Sequence, residues 1–242
     1  MSMERKNILI TGAGRRIGYA LALSLGKAGA NLVLHYNQSA QGVLQLEREL
    51  RETGCKTVVV QANLAQPAEA GNLIYHASEV MGGLDALINN AAIFENLDWQ
   101  TTDLAGWERH LAVNLTSPFF LSQAFARQIA EGEEGRIVNI LDWRALRPGS
   151  DHLPYTISKA GLAALTKSLA LALAPRITVN AVALGAVLPP SDGNIDPRIL
   201  DDVPLNRWAK LDEVVEAVKL FLDGPGYITG EILHVDGGRH LV

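Results

Sequence analysis

Residues 8–25 read ILITGAGRRIGYALALSL. Three apolar residues typical of a strand lead into a glycine-rich turn, and apolar residues at helical spacing follow the turn. Because a parallel neighbour strand can follow only after a helical crossover, the stretch has the form of the first half of a βαβ unit. It predicts an α/β fold.

The same alternation continues along the chain. Short β-branched runs predict seven strands, separated mostly by stretches of helical length, at residues 8–10, 32–34, 57–60, 86–88, 137–140, 177–182 and 232–235. Strands that are apolar on both faces favour a mostly parallel sheet between two helical layers. Right-handed crossovers then give a doubly wound Rossmann fold. Since no linker or repeat divides residues 1–242, we expect a single domain.

Residues 184–208 are the exception, because they carry Pro189, Pro190, Pro197 and Pro204 and no strand pattern. An irregular segment of this length inside a compact domain is often functional. We interpret it as a substrate lid with a short helix near residues 197–201. A surface insertion without function is the alternative.

Composition limits the classes of function. The chain has 242 residues, 48% of them hydrophobic, and a net charge of −5 with no basic tract, so nucleic acid and anionic membranes are disfavoured as partners. The single cysteine, Cys55, cannot form an internal disulfide and has no companions for a metal site, which favours a reducing cytoplasm. The apolar stretch at residues 160–174 contains Lys167 and is too short to span a membrane, so we expect a buried helix.

The glycine turn, residues 11–18, has the chemistry of a phosphate cradle. Glycines let the backbone approach a pyrophosphate, and the free amides at a helix N-terminus favour negative charge. A purely conformational glycine turn is the alternative. At the end of the second strand, where an NAD site usually has a carboxylate, the sequence reads His35-Tyr36-Asn37. Together with Arg15 and Arg16 this favours NADPH over NADH, unless the arginines are only solvated surface charges.

Three further features suggest a reaction centre. Asn89-Asn90-Ala91-Ala92 follows a strand, Asn114 lies within a helical pattern, and Tyr155 precedes Lys159 by four residues. Tyrosine and lysine at this spacing share a helix face, so the ammonium is expected to lower the pKa of the phenol from about 10. A phenol tuned in this way is a general acid for a reduced carbonyl oxygen.

In this combination the sequence resembles the short-chain dehydrogenase/reductase family, from Ile8 to the ending at residues 235–238. The resemblance implies that Tyr155 donates the proton, that Lys159 binds the nicotinamide ribose and tunes the tyrosine, and that Asn114 holds a relay water. It also implies a homo-oligomer, commonly a tetramer. We expect the cofactor to be lined by Gly12, Arg15, Arg16, Ile17, Gly18, His35, Tyr36, Asn37, Ser39, Asn63, Leu64, Asn89, Ala91, Tyr155, Lys159, Gly185 and Val187.

The sequence departs from the family pattern in ways that resemble the pteridine reductases, including dihydromonapterin reductases. Arg16 replaces a glycine of the turn, and Asp142 replaces the serine thirteen residues before the tyrosine. Residues 89–94 read NNAAIF, and in that subgroup the aromatic matching Phe94 stacks on the pterin. Two features do not fit this pattern. Ala92 departs from the subgroup, and the absence of a threonine from residues 185–192 departs from many members of the family. We expect the substrate to be lined by Phe94, Asp142, Trp143, Tyr155 and Leu188.

A carboxylic acid in place of the serine has a physical rationale. It can exchange a proton as well as hydrogen-bond, which suits a C=N bond whose nitrogen must be protonated. The acid then needs a raised pKa, whereas Arg144, two residues on, would stabilise the ionised form if it faced Asp142. The alternative is that Asp142 only caps the turn after its strand. Phe94 and Trp143 likewise have the alternative of ordinary packing.

These observations predict NADPH-dependent reduction of a small molecule, with a pterin-like heterocycle as the leading substrate. A carbonyl reductase, such as a 3-oxoacyl-[acyl-carrier-protein] reductase, is the nearest alternative. A catalytically silent NADP sensor or scaffold on the same fold is the second alternative.

Overall fold

The computed structural model describes residues 3–189 and 197–242. Residues 190–196 of the expected lid, with Pro190, lie outside the described residues. The strands are β1 (Asn7–Ile10), β2 (Asn31–Tyr36), β3 (Thr57–Gln61), β4 (Ala86–Asn89), β5 (Gly135–Asp142), β6 (Ile177–Leu184) and β7 (Ile232–Val235). The α-helices are α1 (Arg16–Lys27), α2 (Ala40–Arg51), α3 (Ala68–Met81), α4 (Leu104–Leu111), α5 (Ser117–Gln128), α6 (Leu153–Leu173) and α7 (Leu211–Asp223).

The strands form one sheet in the order β3-β2-β1-β4-β5-β6-β7, and all six neighbouring pairs are parallel. This confirms the doubly wound Rossmann fold. The order reverses between β1 and β4, so a crevice opens there at the carboxyl ends of the strands. In folds of this kind, ligands bind at that point.

The sheet buries a core on each face because alternate residues of its strands point to opposite sides. Ile8 and Ile10 of β1 pack with α1, α2 and α7, whereas Leu9 packs with α3, α5 and α6. The expected buried helix at residues 160–174 is the greater part of α6. Among the residues that the structure describes, no helix has the length and apolar character needed to cross a membrane.

The seven predicted strands are confirmed, but all except β7 are longer than expected. β5 continues to Asp142 and β6 to Leu184, and these two residues are partners in the last step of the ladder. Leu184 therefore belongs to a strand and not to the irregular segment. The short helix expected near residue 197 is a 3-10 turn at Pro197–Leu200.

Candidate active site

The glycine turn after β1 closes tightly against the start of α1. Gly12 has a φ of +66°, and a Cβ on Gly18 would lie 2.2 Å from the carbonyl oxygen of Gly12. Within residues 3–189 and 197–242, no side chain caps the N-terminus of α1. The turn therefore presents backbone without side chains and free helix amides at the mouth of the crevice, which suits a pyrophosphate.

His35 supports this turn from inside the sheet. Its ring is 1% exposed; Nδ1 accepts a hydrogen bond from Gly12 N at 3.1 Å, and Nε2 lies 3.1 Å from Ala62 O. Burial lowers the pKa of His35 to about 4, against opposing contributions from Ala62 and Glu69, so the ring is neutral near pH 7. Because protein groups occupy both nitrogens, the His35 ring shapes the turn. A contact between His35 and the cofactor stays a prediction.

Other predicted cofactor residues do lie together at this edge of the sheet. Asn37 Nδ2 is 3.4 Å from Asn63 Oδ1, so the residues that follow β2 and β3 meet. A Cβ on Gly14 would lie 2.9 Å from Ser39 Cβ, which brings the glycine turn against the start of α2. Leu64 is buried, and its carbonyl oxygen accepts from Ser117 Oγ at 2.8 Å.

Arg16 has partners that sequence reasoning did not foresee. Its guanidinium donates to Pro189 O at 2.9 Å and to Leu188 O at 3.3 Å, so it links the glycine turn to the segment after β6. Its φ of +53° lies in the left-handed region, where glycine is favoured. Arg15 is exposed beside it. A contact of either arginine with a cofactor phosphate stays a prediction.

The end of β4 contributes a buried amide with an unfilled acceptor. Asn89 donates from Nδ2 to Asn139 Oδ1 at 2.8 Å, while its Oδ1 is buried and has no hydrogen-bond partner among the described residues. Next to it, Thr11 Oγ1 accepts from Asn90 N and Ala91 N, both at 2.9 Å. Sequence reasoning missed this role of Thr11, although the residue opens the quoted glycine turn.

Tyr155, Asp142 and Lys159 converge at the carboxyl end of β5. The phenol of Tyr155 donates to Asp142 Oδ2 at 3.3 Å. The ammonium of Lys159, one helical turn further along α6, lies 5.8 Å from the centre of the Tyr155 ring and donates to Ile140 O at 2.7 Å. Tyrosine and lysine are 7% and 2% exposed, so this cluster is nearly closed to bulk water.

Burial dominates the electrostatics of the three groups. It raises the pKa of Asp142, although the backbone N–H of Arg144 and the charges of Arg144 and Lys159 oppose the change. Burial, and then the charge of Asp142, raise the pKa of Tyr155 well above 10. Burial lowers the pKa of Lys159 to about 8. The expected net lowering of the phenol pKa is therefore wrong in this structure, because desolvation and the neighbouring carboxyl set the direction of the shift.

The carboxyl group of Asp142 has two roles: it caps a turn, and it faces the phenol of Tyr155. Oδ1 accepts from Arg144 N at 2.9 Å and caps the short 3-10 turn that follows β5, whereas Oδ2 points to Tyr155. The guanidinium of Arg144 pairs with Asp151 at 2.7 Å. Arg144 therefore forms its ion pair with another carboxylate, while Oδ2 of Asp142 accepts from the phenol.

Asn114 lies in a π-helical turn, Ala112–Thr116, between α4 and α5. Its side chain accepts from Ile93 N at 2.9 Å and donates to Ile93 O and Ser158 Oγ, both at 3.0 Å. Ser158 directly precedes Lys159, so Asn114 joins the loop after β4 to α6. Sequence reasoning missed Ser158.

Two aromatic residues border the cluster. Phe94 is 53% exposed, and its ring meets the Tyr155 ring edge-on at 4.7 Å. His152, which sequence reasoning missed, directly precedes α6 and has a left-handed backbone conformation. Its ring stacks on the Phe94 ring, with 4.0 Å between the two ring centres. A flat substrate can therefore stack on Phe94 only on the ring face that His152 leaves open, and that role stays a prediction.

The remaining predicted contacts lie where β5 and β6 end. Trp143 follows Asp142, and Leu188 follows Val187, which is 6% exposed. A Cβ on Gly185 would lie 2.6 Å from Asp236 Cα, so this position brings the segment after β6 against the C-terminal turn.

The comparisons with known proteins agree with this geometry. A family model described as enoyl-(acyl carrier protein) reductase matches residues 12–240. Among curated relatives, the 3-oxoacyl-[acyl-carrier-protein] reductase of Synechocystis sp. is 33% identical over 95% of each chain, and that of Aquifex aeolicus is 34% identical over 98% of each.

Solved structures give the same fold. FolM alternative dihydrofolate reductase 1 from Brucella canis, complexed with NADP, is 35% identical with a TM-score of 0.90 and covers 98% of this chain and 95% of its own. A short-chain dehydrogenase from Burkholderia cenocepacia, also in complex with NADP, is 32% identical with a TM-score of 0.92 over 99% of each chain.

Proposed function

The chain belongs to the short-chain dehydrogenase/reductase family, and from this premise we propose that it reduces a pterin-like heterocycle with NADPH. The observation that carries the substrate class is the buried carboxyl of Asp142, 3.3 Å from the phenol of Tyr155. A pterin is reduced at a C=N bond, and its nitrogen must receive a proton. The likeness to the FolM structure supports the same class.

The crevice fits the cofactor. The glycine turn and the uncapped amides of α1 would hold the pyrophosphate, and Asn37 and Asn63 would face the adenosine half. By family resemblance, Lys159 and Tyr155 would hold the nicotinamide ribose. NADPH, when bound, supplies the hydride. The NADP complexes of two similar structures support this choice of cofactor.

The residues of the chain then manage the proton. Tyr155 gives its phenolic proton to the substrate nitrogen as the ring carbon is reduced. A raised pKa makes the phenolate costly, so the step needs a source that returns the proton to Tyr155. Asp142 fills this role because burial also raises its own pKa and its Oδ2 is within hydrogen-bond reach. The positive charge of Lys159, close to the phenol ring, stabilises any negative charge that develops there.

A 3-oxoacyl-[acyl-carrier-protein] reductase is the second candidate function. It is favoured by the curated relatives, which are 33% and 34% identical over nearly the whole chain. The same tyrosine and lysine would then act on a ketone. Both reactions take up one hydride and one proton. A hydrogen bond, as from a serine, is enough to polarise a carbonyl, whereas a C=N bond is better served by a group that can also exchange a proton, so Asp142 separates the two functions.

Parallel assays of dihydrobiopterin and an acetoacetyl thioester with NADPH test the proposal. We expect turnover of the pterin, and we expect Asp142→Ser to lower its kcat by about a hundredfold while ketone reduction falls less. Asp142→Asn, which keeps the shape but carries no exchangeable acid proton, is the matched control and should resemble the serine variant.

Three results contradict the proposal. Turnover confined to thioesters favours the carbonyl reductase. An equal loss on both substrates removes the role of Asp142. Failure of every redox assay despite NADPH binding favours a silent sensor or scaffold. A homo-oligomer and a cytoplasmic location stay predictions from the sequence; the exposed apolar side chains Ile157 and Leu171 on α6 support the former.

A further inference from the structure

An arginine from the C-terminal end of the chain lies beside the reaction centre. The guanidinium carbon of Arg239 is 4.2 Å from the ring centre of Trp143, the residue that follows Asp142. The guanidinium of Arg144 lies 4.8 Å from the same ring centre. Two cations therefore contact one indole at the edge of the candidate active site.

The two arginines differ in their partners. Arg144 is neutralised by Asp151 at 2.7 Å. The Nε atoms of both arginines are buried without an acceptor among the described residues, but the side chain of Arg239 makes no hydrogen bond or ion pair at all with any of them. A partly buried guanidinium that lacks an anion is costly, and contact with an indole offsets only part of the cost.

The nearby carboxylates do not neutralise the guanidinium of Arg239. Burial, and then the charge of Arg144, lower the pKa of Arg239, while Asp202, Asp142 and Asp151 oppose this from a distance. None of these carboxylates forms an ion pair with Arg239 among the described residues.

The backbone that carries Arg239 is held firmly. Asp236 accepts from the amides of Gly238 and His240, both at 2.9 Å, and from His240 Nδ1 at 2.8 Å. Arg147 donates to Arg239 O at 3.2 Å. The guanidinium is thus presented from a fixed turn, so little ordering is needed before a ligand binds.

We propose that Arg239 binds an anionic group of the substrate, a carboxylate or a phosphate, carried on a side chain away from the bond that is reduced. The inference rests on the proposed reduction at Tyr155 and Asp142, and it adds that the substrate is anionic. A planar guanidinium suits both groups because it can donate two parallel hydrogen bonds.

The test compares two substrates that share a ring and differ in charge. Dihydrobiopterin has an uncharged side chain, whereas dihydrofolate carries glutamate carboxylates. We expect Arg239→Met to raise the KM of dihydrofolate by about tenfold or more and to leave the KM of dihydrobiopterin within about twofold. Arg239→Lys, which keeps the charge without the fork, should give an intermediate KM.

Two controls protect the comparison. Arg48→Met removes an exposed arginine of α2 and should leave both KM values unchanged. The unchanged KM for dihydrobiopterin shows that Arg239→Met is folded. Binding of folate with NADP⁺, followed by tryptophan fluorescence, gives the same comparison without turnover: loss of folate affinity in Arg239→Met supports the proposal, and unchanged affinity overturns it.

Failure of the pterin proposal is distinguishable from failure of this one. If only thioesters are reduced, acetoacetyl-coenzyme A, which carries phosphates, replaces dihydrofolate, and the uncharged acetoacetyl-N-acetylcysteamine replaces dihydrobiopterin. A selective rise in KM for the coenzyme A ester supports Arg239 as the anion-binding residue while the pterin substrate is abandoned. Equal effects on charged and uncharged partners overturn the role of Arg239.

Discussion

Protonation of His35 should destabilise the protein as the pH falls. Because Gly12 N donates to Nδ1, that nitrogen must be unprotonated in the folded chain. Burial lowers the pKa of His35 from 6.5 to about 4. The unfolded chain therefore binds the proton first, so the stability that this group contributes is complete above pH 6.5 and is lost as the pH falls towards 4. Between pH 7.5 and pH 5.0 the loss is about 2 kcal/mol.

Urea unfolding followed by circular dichroism at pH 7.5 and pH 5.0 measures this loss. His35→Gln removes the titration and keeps one acceptor and one donor for Gly12 and Ala62. Its free energy of unfolding should fall by about 2 kcal/mol less than that of the wild type over the same pH interval. His76→Gln, which removes an exposed imidazole on α3, should behave like the wild type. An equal loss in His35→Gln and in the wild type would refute the reasoning.

Two further substitutions probe the glycine turn. Arg16→Gly should change the free energy of unfolding by no more than about 1 kcal/mol, because relief of left-handed backbone strain offsets the two lost hydrogen bonds. Amide hydrogen exchange over residues 185–189 should accelerate in this variant. Unchanged exchange would contradict the link between Arg16 and the segment after β6. Gly18→Ala should cost about 2 kcal/mol or more and abolish NADPH binding, because its Cβ would lie 2.2 Å from Gly12 O. Gly71→Ala, with only a side-chain atom of Tyr75 at 4.0 Å, is the matched control in both thermal melts and NADPH titrations.

The sequence was sufficient for the architecture because apolar runs and glycine turns mark a doubly wound sheet directly. It was less informative at strand ends. Asp142 is polar, so the apolar pattern stops before it, yet it pairs with Leu184 in the last step of the ladder. Strand ends of this kind are set by pairing with a neighbour, and a single sequence does not contain that information.

Side-chain direction was the second weakness. In β2 the four residues 32–35 are all buried, so no alternation of polar and apolar residues reveals which face each side chain takes. The sequence therefore does not reveal that the His35 side chain lies inside the sheet and supports the glycine turn. The predicted direction of the Tyr155 pKa shift was wrong for a related reason, since that direction depends on burial and on the distance to Asp142.

The place of Arg239 beside the reaction centre could not be predicted from the sequence, because its contact with Trp143 joins positions almost a hundred residues apart. No spacing rule connects a C-terminal turn with the residue after a central strand. The signal is present only in three dimensions.

This separation has an evolutionary consequence. The proton-transfer groups are built into the central sheet and its longest helix, where most substitutions disturb the core. The guanidinium of Arg239 comes instead from a peripheral turn that contributes no strand to the sheet. With the proposed role of Arg239, a lineage can alter which substrate charge it accepts by changing a few codons for that turn, and the chemistry of reduction is inherited intact.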